Sequence, residues 1–366
     1  MPIYMDVHIV PGVKARNVAE AHQQDLIHQE DYACKCMTYW VDEQRENVFC
    51  LIDAPSKEAV IEMHNKAHGL IPHKIIEVSS LLVESFLGRI YDPTEADITD
   101  GNLKVFHDPS FRVLLVTQTI DPVLLKHTLG KERSVELLQQ HNDLVRQNIR
   151  EHTGREVEHG GCGFIISFTA ASKALSCALA IHRAIEDQLA TSIGFKMSIT
   201  AGEPVEKSAT LFGSSIQKAG YMCAIAKCFQ VALSSSVREL VTKENLHQMG
   251  DKLLAIPPQD EALLESLYAT LEEKWQDPEF DADDFCHVMT MSKSQLYRKT
   301  IALTGISPNV LLKEFRLDKA REMMKKKHYN IAQVTFDSGF TSPSYFTKCF
   351  KKKFGLLPMS YIELVQ

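Results

Sequence analysis

The chain has 366 residues and a mass of 41.3 kDa, which is enough for two or three domains of ordinary size. Hydrophobic residues make up 45% of it and charged residues 24%, the balance of a globular protein, and no uncharged apolar stretch is long enough to cross a membrane. The nine cysteines include no Cys-x-x-Cys pair, and the first twelve residues lack the basic start and apolar core of a signal peptide, so the sequence predicts reduced thiols in a cytoplasmic protein.

The net charge of −7 conceals a strong division along the chain. Residues 285–366 contain 14 Lys and Arg against 5 Asp and Glu, whereas residues 1–284 contain 26 against 42. A basic C-terminal part on an acidic body is typical of a DNA-binding module attached to another domain. A solvated helical surface is the alternative explanation for the same charges.

Residues 1–80 show the order β-α-β-β-α-β. Residues 3–10 alternate as a strand that places Asp6 and His8 on one face, and two helices, two β-rich runs and a last strand complete the pattern. Two βαβ-like halves of this length predict an α+β ferredoxin-like domain. Residues 81–110 contain Asp-Pro and Asp-Gly turns with little periodicity, and they are predicted to form a linker with room for a short helix.

Residues 111–245 return to a mixed pattern and predict an α/β domain. The pair Pro257-Pro258 marks a second predicted linker over residues 246–260. Residues 261–366 contain no strand-like run, so this segment is predicted to be entirely helical.

Two stretches of the C-terminal segment share one design: a short helix, a tight turn, and a second helix that opens on a serine cap. They cover residues 281–299 and 330–350, and the serines are Ser292 and Ser342. This is the pattern of a helix-turn-helix, whose second helix enters the major groove of DNA. A helix of about 17 residues that starts at Pro308 joins the two motifs and spans roughly 26 Å.

These residues resemble the DNA-binding domain of the AraC family of transcription regulators. The matching runs are Met291-Ser-Lys-Ser-Gln-Leu-Tyr-Arg298, Thr304-Gly-x-Ser-Pro308, Arg316-Leu-x-x-Ala320, Gly339-Phe-x-Ser-x-Ser-Tyr-Phe346 and Phe350-Lys-Lys-x-Phe-Gly-x-x-Pro358. The resemblance implies an all-α domain with two helix-turn-helix motifs that binds double-stranded DNA.

Carried over to this chain, the resemblance implies that polar residues of the two second helices face base edges or phosphate. These residues are Ser292, Ser294, Gln295, Arg298, Ser342, Ser344, Thr347 and Lys348. Lys299, Lys351 and Lys352 are expected to contact phosphates, which position a protein without reading sequence. Plain solvated surface is the alternative for each of them. Tyr345, Phe346 and Phe350 are predicted to be core residues.

The middle segment resembles the class III nucleotide cyclases. The similar stretches are residues 114–118, 141–151, 154–168, 213–219 and 231–236. The resemblance implies a ferredoxin-like core, and it places Gln118 and Cys162 where the family has two metal-binding carboxylates, and Gln217 and Tyr221 where it has an Asn and an Arg. A neutral amide and a thiol do not hold a Mg²⁺ pair, so we expect a non-catalytic domain without nucleotide or magnesium. It is interpreted as a module for dimerisation or for sensing a small ligand.

The N-terminal segment is rich in potential metal ligands. His64 and His68 are four residues apart on a predicted helix, so both imidazoles point from one face and can chelate one ion. Imidazole together with a carboxylate or a thiolate suits nickel, copper, zinc or cobalt. The alternative is that these histidines are hydrogen-bonded structural or surface groups.

The N-terminal segment also resembles a small ferredoxin-like family with members described as nickel-binding. The matching runs are Met5-Asp-x-His8, Ala21-His22, Thr38-Tyr-Trp40, Val48-Phe-Cys-Leu51 and Ala59-Val-x-x-x-His-x-x-x-His-Gly69. We therefore take His8, His22, Cys50, His64 and His68 as the candidate metal ligands. The resemblance favours nickel and leaves zinc, copper and cobalt open.

The order of the three segments predicts a sensor, a spacer and a DNA reader. The sequence thus predicts an AraC-type, sequence-specific transcription regulator that responds to a metal ion or small ligand through its N-terminal domains. Such a protein is not an enzyme; it binds double-stranded DNA and RNA polymerase, forms a homodimer and binds no membrane. The alternatives are a metal-binding protein or a nucleotide cyclase relative whose helical tail is not a regulator.

Overall fold

The computed structural model describes most of the chain. The described residues are 1–94, 97–98, 103–160, 163–189, 193–206, 208–247, 250–326 and 330–365. Within them, no helix combines the length and the apolar character that a membrane crossing requires.

The N-terminal domain has the predicted order of elements. These are β1 (Ile3–Ile9), α1 (Ala15–His28), β2 (Lys35–Asp42), β3 (Asn47–Asp53), α2 (Lys57–Ala67) and β4 (Lys74–Val78), with a short 3₁₀ helix at Gln29–Tyr32. The strands form one antiparallel sheet in the order β2-β3-β1-β4. This confirms the predicted α+β ferredoxin-like fold.

Both faces of this sheet are covered. Because side chains alternate along a strand, Tyr4 packs with the α1 and α2 side, whereas Met5 and Val7 point to the opposite face. On that opposite face the buried rings of Trp40 and Phe49 join a second apolar cluster, which belongs partly to the middle domain. Strand β1 is therefore shared between the helical layer and the contact with the middle domain.

The segment predicted to be the first linker is packed between the two domains. It contains α3 (Ser80–Leu87) and two short strands, β5 (Asp97–Ile98) and β6 (Lys104–Val105). Phe86 and Leu87 are buried, and the Arg112 guanidinium donates hydrogen bonds to both of their carbonyl oxygens. The predicted linker thus contains a short helix, and apolar residues of α3 fill the space between two sheets.

The middle domain is built on a six-stranded sheet. Its elements are β7 (Arg112–Thr119), α4 (Pro122–Leu129), α5 (Lys131–Glu151), β8 (Arg155–Gly160), β9 (Gly163–Phe168), α6 (Ala171–Leu189), β10 (Phe195–Gly202), α7 (Gly213–Ile225), β11 (Val231–Leu233), α8 (Ser235–Leu240), α9 (Lys243–His247) and β12 (Leu253–Ala255). The strand order is β12-β11-β10-β7-β9-β8. Strand β12 lies inside the second predicted linker and pairs in parallel with β11, so that segment is part of the sheet.

The C-terminal segment is helical, as predicted. It contains α10 (Pro258–Lys274), α11 (Ala282–Val288), α12 (Lys293–Thr304), α13 (Pro308–Met324), α14 (Ile331–Asp337), α15 (Pro343–Phe354) and α16 (Pro358–Val365). Two apolar clusters divide it: Leu296 and Leu311 belong to the first, and Leu317 and Phe346 to the second. Helix α13 contributes to both clusters, which makes it the spacer between the two units.

The C-terminal helices dock directly on the middle domain. The ring of Tyr268 on α10 stacks on that of Tyr221 on α7, with centroids 4.5 Å apart. Leu124 on α4 packs against the second helical cluster. A cleft of about 810 Å³ remains between α13 and the middle domain, and Gln118, Gln217 and Tyr221 line its wall.

Candidate nucleic-acid interface and metal centre

The first helix-turn-helix unit is built by α11, a short turn and α12. Ser292 caps α12: its hydroxyl accepts the Gln295 N–H at 3.3 Å, while the Gln295 side-chain carbonyl accepts the Ser292 N–H at 3.1 Å. This reciprocal pair satisfies two backbone donors that a helix start otherwise leaves free. Thr290 supplies the left-handed residue of the turn, with φ of +50°. Ser292 and Gln295, which are predicted DNA contacts, are thus hydrogen-bonded to each other.

The second unit is built by α14, its turn and α15. Ser342 caps α15 by accepting the Tyr345 N–H at 3.4 Å, and Pro343 occupies the first helical position. The turn contains Gly339 with φ of +76°, as its sequence position predicts. A Cβ on this glycine would lie 2.4 Å from the carbonyl oxygen of Trp275, so the second turn is seated closely on the end of α10.

The predicted DNA-contacting side chains lie on the surface of their helices. Ser342 and Thr347 are half-buried, and the exposed ones are Ser292, Ser294, Gln295, Arg298, Lys299, Ser344, Lys348, Lys351 and Lys352. Phe346 and Phe350 are fully buried, as predicted, whereas Tyr345 is 54% exposed and is not a core residue. Tyr297 of α12, which the sequence reasoning did not single out, is equally exposed.

Four potential metal ligands from three elements meet in the interior of the N-terminal domain. Asp6 and His8 lie on β1, Cys50 stands opposite Asp6 on the paired strand β3, and His64 lies on α2. One ligand atom from each of the four lies within 4.8 Å of the others, and all four residues are buried. We call this set the first donor group.

A second donor group shares His64 with the first. It consists of Asp25 on α1, His64, and His68 at the C-terminal cap of α2. His64 Nδ1 lies 3.0 Å from Asp25 Oδ1, whereas its other ring nitrogen, Nε2, lies 2.9 Å from Asp6 Oδ2. The sequence reasoning missed Asp25, although a carboxylate seven residues after Val18 falls on the buried face of α1, which was the available signal.

His22 does not join either of these two groups of described residues. Its ring packs beside Tyr39 at 5.2 Å, and its Nε2 lies 3.6 Å from the Asp92 carboxylate. Its predicted role as a metal ligand stays a prediction: the ring lies on the same buried face of α1 as Asp25 and is directed to Tyr39 and Asp92. His8 and Cys50 lie with His64 in the first group and His68 lies with it in the second, and their role as metal ligands stays a prediction.

The electrostatics of the site follow from two buried carboxylates around one imidazole. Burial disfavours the charged form of His64, but Asp6 and Asp25 outweigh it and raise the pKa of His64 to about 10. Burial likewise opposes ionisation of Asp6, yet His8 and His64 hold the pKa of that carboxyl below its usual range. Burial, together with Asp6 and Asp25, raises the pKa of the Cys50 thiol well above its usual value.

The donor set fits a transition metal ion. Imidazole nitrogens, a thiol and carboxylates lie close enough together to bind the same ion. This mixture of ligands suits Ni²⁺, Cu²⁺, Zn²⁺ or Co²⁺, whereas Mg²⁺ prefers oxygen ligands alone. A cavity of about 60 Å³ lies beside the donors, and its wall combines His8, Cys50 and His68 with apolar residues such as Val18 and Leu70. The site therefore has ligands, burial and a space next to them.

The positions that resemble cyclase metal ligands do not form such a cluster among the described residues. Gln118 lines the cleft beside α13, and Cys162 lies outside the described residues. The amide side chain of Gln118 is neutral, so it offers no charge to a pair of magnesium ions. The cyclase-like character of this domain stays a prediction.

Two parts of the chain match known families. Residues 4–78 match the family of the nickel responsive protein SCO4226-like, and residues 285–363 match a helix-turn-helix domain. The chain is 34% identical to the solved structure of SCO4226 from Streptomyces coelicolor, over 21% of this chain and 94% of that one, with a TM-score of 0.20.

Two curated proteins are similar to this chain over less than a third of their own length. The HTH-type transcriptional regulator MtrA of Neisseria gonorrhoeae is 30% identical over 83 residues, which is 23% of this chain and 28% of MtrA. Histidine kinase P4 of Formosa agariphila is 34% identical over 129 residues, which is 35% of this chain and 9% of the kinase. The chain thus spans less than a third of each of these two proteins. Its N-terminal end is thus similar to the SCO4226-like proteins, and its C-terminal end is similar to helix-turn-helix domains.

Proposed function

We propose that this chain is a DNA-binding transcription regulator that reads DNA through α12 and α15. The observation that carries the proposal is the pair of serine-capped helices, each held by its own apolar cluster and each presenting basic and polar side chains to solvent. Helix α13 belongs to both clusters and sets the spacing of the two units. The similarity of residues 285–363 to a helix-turn-helix domain supports the same conclusion.

The regulator includes a metal-responsive N-terminal domain. His8, Cys50, His64 and Asp6 would hold a divalent transition metal ion, and nickel is favoured by the SCO4226-like match. Such an ion supplies a fixed positive charge that pulls β1, β3 and α2 into one geometry. A ligand shifts a conformational equilibrium only if it binds one state more tightly than the other, so the coupling must pass through an element that the ion constrains.

Strand β1 is that element in our proposal. It carries Asp6 and His8 on the face toward α1 and α2, and Met5 and Val7 on the face that packs against the middle domain. The middle domain in turn contacts α10 through Tyr221. Residues of one strand thus connect the metal donors to the domain on which the DNA-reading helices are docked.

The remaining parts of the proposal concern partners and catalysis. We take the chain to act in the cytoplasm as a homodimer that contacts RNA polymerase, and to have no enzymatic activity. The neutral side chain of Gln118 in the cleft, at a position where the cyclases have a metal-binding carboxylate, supports the absence of cyclase chemistry. Incubating the full chain with ATP or GTP and Mn²⁺ is the check, and formation of a cyclic nucleotide would contradict this part.

The DNA-binding proposal is tested by footprinting of the full chain on genomic fragments from the source organism. The double variant Arg298→Ala with Lys348→Ala should lose the protected sites while keeping its circular dichroism spectrum. A charge-matched control is Arg183→Ala with Lys227→Ala, two exposed cations of the middle domain, which should retain the footprints. Wild-type protein that protects no fragment would rule out the regulator.

The metal-responsive part is tested on any site so found. Adding Ni²⁺ to metal-free protein should change the apparent DNA affinity about 5- to 150-fold, the range of typical allosteric coupling. His64→Ala should abolish this change, since His64 belongs to both donor groups. The same response in wild type and His64→Ala would disprove the assignment of the site.

A further inference from the structure

The second donor group has the dimensions of a ligand triangle. His64 Nδ1 lies 3.0 Å from both His68 Nε2 and Asp25 Oδ1, and the last two atoms are 3.2 Å apart. Two ligand atoms at right angles on one ion, each about 2.1 Å from it, are about 3.0 Å apart. The three atoms therefore match one face of an octahedral ion.

The His64 ring is placed between the two donor groups. Its Nε2 is directed to Asp6, and its Nδ1 to Asp25 and His68. Once both nitrogens have lost their protons, an imidazole ring can bind one ion on each side. We propose that Asp25, His64 and His68 form a second divalent-metal subsite, which shares the His64 ring with the first donor group. This inference rests on the proposed metal-binding function.

Binding of two ions requires the Cys50 thiol and both ring nitrogens of His64 to release their protons to solvent.

The small cavity borders both donor groups, since His8 and Cys50 line it as well as Asp25 and His68. His68 is 12% exposed, whereas the His64 side chain is fully buried. The second subsite therefore has space beside it for additional ligands such as water. A facial triangle needs further ligands to complete an octahedron, and the cavity provides room for them.

The competing arrangement holds a single ion at the first donor group. Asp25 and His68 would then only orient the His64 ring, as carboxylates commonly do for metal-bound histidines. The two arrangements predict different stoichiometries, which makes them separable without any measurement on DNA.

Equilibrium dialysis of the full chain against Ni²⁺, followed by elemental analysis, tests the proposal. We expect two ions per chain in the wild type and one in both Asp25→Asn and His68→Gln. Cys50→Ser should also bind one ion, since it damages only the first group. His28→Gln is the control, because His28 lies on α1 outside both groups and should leave two ions bound. Circular dichroism checks that each variant is folded.

The outcomes separate the two hypotheses. One ion in the wild type, unchanged in Asp25→Asn, would overturn the second subsite and leave the metal-responsive function intact, whereas no bound ion would remove both. A second measurement addresses the shared ring: loading with two equivalents of Cu²⁺ should give a magnetically coupled pair with a weakened electron paramagnetic resonance signal. Two uncoupled Cu²⁺ signals would disprove the bridging role of His64.

Discussion

The Tyr361 hydroxyl donates a hydrogen bond to the Asp121 carboxylate, 3.0 Å across the boundary between the middle domain and the last helix. Lys325 Nζ and Arg321 Nε lie 2.9 Å and 3.4 Å from the same carboxylate oxygen. The Asp121 side chain is fully buried and also accepts the Val123 N–H at the start of α4. One carboxylate therefore fixes α13 and α16 to the middle domain.

Replacing this carboxylate should loosen the docking of the second DNA-reading unit. Asp121→Asn removes the negative charge that Lys325 and Arg321 face, and hydrogen bonds to charged groups contribute roughly 1.5–3 kcal/mol each. We expect a loss of about that size in the free energy of unfolding, measured by urea denaturation. Asp187→Asn on an exposed face of α6 is the control and should change it by less than about 0.5 kcal/mol.

The same contact predicts a dependence of stability on pH. Burial opposes ionisation of Asp121, but Lys325 and Arg321 outweigh it and hold the pKa of this carboxyl below its usual value of 3.8. The folded chain therefore binds this proton less readily than the unfolded chain, so the stabilisation is complete above roughly pH 5 and declines as the pH falls through 3.8. The difference in unfolding free energy between wild type and Asp121→Asn should shrink on acidification. A difference that grew below pH 4 would contradict the sign.

No local pattern in the sequence predicts the contact between Asp121 and Tyr361, because 240 residues separate them. The fold of the N-terminal domain was predictable, since its alternation and helix caps are local signals. The donor group was only partly predictable: Cys50 faces Asp6 because of the register of two strands, which alternation alone does not fix. Tyr345 is exposed although Phe346 beside it is buried, because neighbours on a helix point in different directions.

Two glycines with the same backbone conformation should respond differently to substitution. Gly339 and Gly305 both have φ near +77°, where an added Cβ costs roughly 1–2 kcal/mol. At Gly305 that Cβ would meet no atom within 4 Å, whereas at Gly339 it would lie 2.4 Å from the Trp275 carbonyl oxygen and 2.8 Å from Arg316 Nε. Gly339→Ala should therefore lower the unfolding free energy more than Gly305→Ala and should also weaken DNA binding. Equal losses in the two variants would show that the turn tolerates displacement from α10.

The lysines in the last turn of the second recognition helix should act on affinity without changing sequence preference. Lys351 and Lys352 are exposed and basic, and each phosphate contact contributes about 0.9 to the slope of log affinity against log salt concentration. Lys351→Ala with Lys352→Ala should reduce the magnitude of that slope by about 1.8 on specific and unrelated DNA alike. The Arg183→Ala with Lys227→Ala control should leave the slope unchanged. Loss of binding to the specific site alone would assign these lysines to base recognition instead.

The contact between the N-terminal and middle domains should carry the effect of metal on DNA binding. Lys74 Nζ donates to the carbonyl oxygens of Glu206 and Ser208, and Asn47 Nδ2 donates to Glu203 Oε1 at 2.6 Å. Both donors lie on the sheet that contains β1, and neither belongs to the metal-donor groups. Asn47→Ala with Lys74→Ala should therefore keep the Ni²⁺ affinity while reducing the Ni²⁺-induced change in DNA affinity, both measured by titration of the full chain. The exposed Lys57→Ala is the matched control at the start of α2, and it should preserve both quantities. If the double variant responds to Ni²⁺ as the wild type does, the signal does not travel through these contacts.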